Sequence, residues 1–116
     1  VIVELTLPYP PTANNLWTRT RRGMRKTDKY ADWLRVAGQM AMTQRPAGIV
    51  GPYKVLIQAL RPDKRRRDID NLIKPISDLL QTVGVVDDDC NCEMVTARWV
   101  KDGLPLTVRV ESLEGK

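Results

Sequence analysis

Between residues 53 and 84 the apolar residues change their period, and that change constrains the fold more than any other feature of the chain. Val55, Ile57 and Ala59 recur every second residue, with Lys54, Leu56, Gln58 and Leu60 between them. That is the period of a strand with one buried face, and it predicts a strand over about 53–61. From Leu72 the period lengthens. Leu72, Ile73, Ile76, Leu79, Leu80 and Val83 make one stripe on a helix, and Gly84 is suited to stop it. Pro75 fits only the first turn or so of that helix, because a proline further in removes a backbone bond. The helix is therefore expected to begin near Asp70 or Asn71, with one of them as N-cap.

The rest of the chain supplies partners for this strand and helix. Residues 1–8 alternate from Val3 and read as a strand. The prolines of Y9-P10-P11 exclude a helix interior, and a loop is expected to run on through R19-T20-R21-R22 to Gly23. Thr27 or Asp28 starts a second amphipathic helix carrying Tyr30, Trp33, Leu34, Ala37 and Ala41, which ends before Pro46. Two further strands are expected over about 92–101 and 104–113, with D102-G103 between them as a hairpin turn. The order β-loop-α-β-α-β-β predicts an α+β fold. Its sheet is mixed or antiparallel, and both helices pack on one face. At 116 residues the whole chain, 1–116, is expected to be a single domain.

Composition removes several kinds of chemistry. The chain has no histidine, so no imidazole can act as general base or metal ligand. Its two cysteines, Cys90 and Cys92, cannot by themselves complete a four-ligand zinc site. They read as reduced thiols, and with no signal-like N-terminus a cytoplasmic location is the default. No apolar run is long enough to span a bilayer. The net charge of +5 favours an anionic partner, nucleic acid first. Arg19, Arg21, Arg22, Arg25 and Lys26 form one basic cluster, and R61-P62-D63-K64-R65-R66-R67 forms another.

The second cluster runs into Asp68 and Asp70. In extended chain two such carboxylates lie roughly 6–7 Å apart on one side. They could share a hard divalent cation, Mg²⁺ or Mn²⁺. Lys74 lies four residues past Asp70, on the same face if the helix starts early. A plainer reading stays open: the aspartates cap the helix and offset the arginines. The D87-D88-D89 run lies past the far end of the helix, about 20 Å away at 1.5 Å per residue. It joins the first pair only if the chain doubles back, and read alone it is a solvated turn. Trp17 could stack on a base, but burial against its own domain is the expected role; Trp33 and Trp99 fall on apolar patterns.

R65-R66-R67-D68-I69-D70-N71-L72-I73-K74, with G84-V85-V86-D87-D88-D89 beyond it, resembles the RusA family of Holliday-junction resolvases. The segment L7-P8-Y9-P10-P11-T12-A13-N14-N15 is similar to that family's proline-rich stretch ending in Asn-Asn. The resemblance implies a metal-dependent endonuclease of phage or prophage type. Such an enzyme acts as a homodimer that nicks four-way DNA junctions symmetrically, without a nucleotide cofactor or a membrane. By position it implies Asp68, Asp70 and Asp89 as catalytic and Mg²⁺-binding carboxylates, with Asp88 as neighbouring ligand, and Lys74 as the essential lysine. Arg65, Arg66, Arg67, Arg19, Arg21 and Arg22 are the expected DNA contacts. Asn14 and Asn15 either join them or order the loop. Two other functions remain to be separated: a nuclease for other branched DNA, and a basic DNA-binding module without activity.

Overall fold

The structure, a computed structural model, describes residues 1–12 and 15–113. Strand β1 is Ile2–Thr6, β2 is Trp17–Thr20 and β3 is Gly23–Lys26. Helix α1 is Asp28–Thr43, β4 is Tyr53–Leu60 and α2 is Ile73–Thr82. Strands β5, Cys92–Val100, and β6, Leu106–Ser112, complete the chain. Short 3₁₀ turns precede α2, at Ile69–Leu72, and β5, at Asp89–Asn91.

Four strands form one mixed sheet in the order β1-β6-β4-β5. β4 is parallel to β5 and antiparallel to β6, and β1 is antiparallel to β6. One face of this sheet carries Val3, Leu5, Tyr53, Val55, Ile57, Ala59, Leu106, Val108 and Val110, all buried. Tyr30, Trp33, Ala37 and Ala41 of α1 and Ile76, Leu79 and Leu80 of α2 belong to the same core. The alternate residues of β4 are only half-buried, so the helices cover a single face, as the periodicity predicts.

The caps explain where the helices lie. The Thr27 hydroxyl accepts from the Tyr30 N–H at 3.2 Å, which satisfies one orphan donor at the start of α1. Replacing it in Thr27→Ala is expected to lower stability by about 1 kcal/mol in urea denaturation. α2 ends in a glycine-based stop. Gly84 takes φ +81°, its N–H bonds the Gln81 carbonyl at 3.2 Å, and the Val85 N–H bonds the Leu80 carbonyl at 3.0 Å. The chain then reverses, burying Val85 and Val86. It returns as β5 beside β4, with Cys92 opposite Tyr53. A βαβ crossover thus brings the 87–89 run back along the helix.

Three expectations require correction. Residues 17–26 are not loop but a β-hairpin, because Trp17, Thr18, Arg19 and Thr20 pair with Lys26, Arg25, Met24 and Gly23. No apolar periodicity betrayed it, since every residue of both strands is exposed. D102-G103 does not join a hairpin either. β6 passes the end of β4 and pairs on its far side. Leu106, Val108 and Val110 are fully buried there, whereas β5 is largely exposed. The central position buries more apolar surface than an edge position would. Finally, neither Asp70 nor Asn71 caps α2. Both lie inside the 3₁₀ turn, and Leu72 occupies the cap position without a side-chain bond.

Candidate active site

Asp68 and Asp70 sit where β4 has been left and α2 is about to begin. Asp68 has extended backbone at the start of the 3₁₀ turn, yet its carboxylate makes no capping bond. Among the described residues, no hydrogen bond or ion pair engages the side chain of Asp68 or Asp70. The neighbouring arginines have a different partner. Arg67 donates to Asp63 through Nε at 3.2 Å and Nη2 at 2.7 Å. The Arg65 N–H bonds Asp63 Oδ1 at 3.0 Å. The Arg67 hydrogen bond holds the Asp63 carboxyl down at about 2. The loop therefore balances its own arginines and leaves both motif aspartates open. Arg67, with a side chain 20% exposed, is committed to this clasp, while Arg65 is 82% exposed. Arg66 is exposed as well.

Lys74 does not pair with Asp70. The α-helical spacing starts only at Ile73, so residue 70 does not share the helix face that i,i+4 would require. Its ammonium donates instead to Asp78 Oδ1 at 2.9 Å, one turn further on. That bond, with the charges of Asp78 and Asp89, raises the Lys74 pKa and holds the side chain charged. Lys74, Asp78, Gln81, Thr82 and Asp89 line a cleft of about 330 Å³ with Trp17 and Lys26 of the hairpin. Asp89 enters it because its N–H bonds Gln81 Oε1 at 2.9 Å. Asp88 is used differently. Its carboxylate caps the 3₁₀ turn by accepting from the Cys90 N–H at 3.0 Å, which lowers its pKa. Asp87 accepts from Asn91 Nδ2 at 3.1 Å.

The returning strand thus brings Asp89 to Lys74. It does not complete a cage with the other pair. Among the described residues, no group of three or more Asp, Glu, Cys or His side chains is close enough to hold a metal ion. Cys90 and Cys92 are free thiols.

The basic hairpin overhangs this cleft. Residues opposite one another in an antiparallel pair share a face, so Trp17, Lys26, Arg19 and Met24 lie together. Trp17 is 39% exposed, a correction to its expected burial. The Lys26 ammonium lies 5.3 Å from its ring centre, and the Tyr30 ring meets it edge-on at 6.2 Å. Trp33 is core, and Trp99 is half-buried with the Arg61 guanidinium 4.7 Å from its ring centre. Asn15 bonds Thr12 through its N–H at 2.9 Å and its side chain at 3.2 Å, so it orders the entry to the hairpin. Asn14 lies outside the described residues.

Sequence reasoning overlooked Asp78 and Tyr30. Asp78 was findable, since it follows Lys74 by one helical turn. Tyr30 was not, because its hydroxyl reaches Asp78 from 48 residues away.

Fold and cleft define a class: a small mixed α+β enzyme whose carboxylates, lysine and cationic hairpin gather around one helix, a layout suited to cleaving phosphodiesters. The family model for the endodeoxyribonuclease RusA matches residues 8–111, and the chain belongs to that family. The crossover junction endodeoxyribonuclease RusA of Escherichia coli K12 is 36% identical over 106 residues, covering 90% of this chain and 84% of the relative. The protein of the same description from Enterobacteria phage 82 aligns to the same extent. That from Enterobacteria phage HK97 is 33% identical over 88 residues, covering 74% of this chain and 72% of the relative.

Proposed function

We propose that the protein is a Mg²⁺-dependent endonuclease that resolves four-way DNA junctions by paired nicks, acting in the cytoplasm as a two-fold dimer. One observation carries the metal site. The Asp68 and Asp70 carboxylates neither cap the helix nor pair with the adjacent arginines, which counts against the plainer reading of the motif. Both are hard oxygen donors. Mg²⁺ keeps most of its waters and is commonly held by one or two carboxylates plus substrate phosphates. A pair of open aspartates fits that habit, with the DNA supplying further donors, while Asp89 stands in the Lys74 cleft rather than in a cage with them. Mn²⁺ would suit the same ligands. When bound, the ion supplies Lewis acidity at the scissile phosphate.

The chain's own groups do the rest. Lys74 places a positive charge where negative charge develops. Arg65 and Arg66, on the loop leading to Asp68, are open to neighbouring phosphates. The hairpin adds Arg19, Arg21 and Arg22, which are exposed and have no ion-pair partner among the described residues. A junction has approximate two-fold symmetry and needs two nicks, which a two-fold dimer delivers with one site per chain.

The test compares a mobile four-way junction with flaps, forks and plain duplex, each with and without Mg²⁺. Symmetric nicking of the junction alone, and only with the metal, is expected. Preference for flaps or forks would move the substrate class, and cutting in chelator would remove the metal. Replacing Arg19, Arg21 and Arg22 together by Ala is expected to weaken junction binding at low salt. The plot of log affinity against log salt should flatten by about 2–3, since each lost phosphate contact contributes about 0.9 to the slope.

A further inference from the structure

We propose that Asp78, braced by Tyr30, is the positioning residue that holds the Lys74 ammonium in the cleft. This deepens the reading of the site given above and rests on it for the role of Lys74. Lysine is a charge on a flexible four-carbon stem, and an exposed pair one helical turn apart restrains it little. Here the acceptor is itself restrained. The Asp78 side chain is 19% exposed against 57% for Lys74. One carboxylate oxygen receives Lys74 Nζ at 2.9 Å, and the other receives the Tyr30 hydroxyl from α1.

Tyr30 has no exposed surface. Its ring stacks on Trp33 at 6.3 Å and 16°, and meets Trp17 at 6.2 Å and 67°. A buried tyrosine hydroxyl needs a partner, and Asp78 is that partner. Two helices therefore fix both oxygens of one carboxylate, and Lys74 is the outermost member of the chain. Its ammonium has three donors, so one bond to Asp78 leaves two for the cleft it shares with Asp89. Prior positioning of this kind lowers a barrier without adding a contact to the DNA.

The test reads the lysine itself before any cleavage. In ¹⁵N NMR of the free protein, the Lys74 Nζ–H signal, assigned by its loss in Lys74→Arg, should persist at neutral pH because its hydrogen bond slows exchange. Asp78→Asn keeps an acceptor for Tyr30 but removes the charge that holds Lys74. The signal should vanish, and kcat for junction cutting should fall on the order of 10- to 100-fold, with KM within about twofold because no DNA contact is lost. Tyr30→Phe keeps the ring packing and should broaden the signal and lower kcat by a smaller factor. A Lys74 signal unchanged in Asp78→Asn overturns the proposal, as does an unchanged kcat while Lys74→Ala is inactive. Should Asp78→Asn fail to fold, Tyr30→Phe decides on the same two readouts. Should the wild type cut no junction, the nuclease reading fails while the NMR result still judges the brace.

Discussion

Asp70→Asn is expected to bind four-way junctions as well as the wild type and to cut them on the order of 100-fold more slowly or worse. Several kcal/mol of transition-state charge stabilisation depend on a catalytic metal, and each 1.4 kcal/mol is about tenfold in rate. The variant isolates that loss. Asp70 is exposed, and no described residue uses its carboxylate, so asparagine leaves nothing in the protein unpaired. Exposed sites of this kind usually change stability by less than about 0.5 kcal/mol. Removing a negative charge beside DNA should tighten binding if it changes it at all. Single-turnover cutting and a gel-shift titration, each in Mg²⁺ and in Ca²⁺ or chelator, separate the two effects. Cutting equal to the wild type, with the protein folded and bound, would refute the metal role of Asp70.

Leu79→Ala should have the largest effect on stability. Leu79 is fully buried on α2 and faces α1, since a Cβ added at Gly38 would lie 3.9 Å from Leu79 Cδ1. Two rigid helices and a sheet surround it, so the site collapses poorly around a missing side chain. A loss of about 3–5 kcal/mol is expected, a large share of the roughly 5–15 kcal/mol that keeps a domain folded. The midpoint of thermal unfolding should fall on the order of 15 °C. Denaturant and thermal unfolding measure this directly. A loss under about 1 kcal/mol would mean that the core around Leu79 repacks to fill the space.

These two variants touch residues of very different legibility. Leu79 could be read without a structure, since the stripe from Leu72 to Val83 and the stop at Gly84 are local patterns and the helix obeyed them. Thr27 as cap, α1 over 28–43 and β4 from Tyr53 to Leu60 were legible for the same reason. Asp68, Asp70, Lys74 and Asp89 were legible as a family motif, but their neighbours were not. The arginines were expected as DNA contacts, with the plainer reading setting them against the motif aspartates. Arg65 and Arg67 meet Asp63 instead, because the loop folds back on itself. Lys74 was expected beside Asp70 and turns to Asp78, because the 3₁₀ turn displaces residue 70 from the helix.

Period, cap and stop are properties of a few neighbouring residues, so the amino-acid order alone was enough for the four strands of the main sheet, the two helices and the α+β class. Strand neighbours are not such a property. β6 lies next to β4 rather than β5 because the centre of the sheet hides Leu106, Val108 and Val110 on a common core. The hairpin over the cleft is a pairing of polar residues that no hydrophobic period announces. The bond from Tyr30 to Asp78 joins helices 48 positions apart. Such contacts exist only once the chain has closed its long loops, since burial of the shared core is what offsets the entropy of bringing distant segments together.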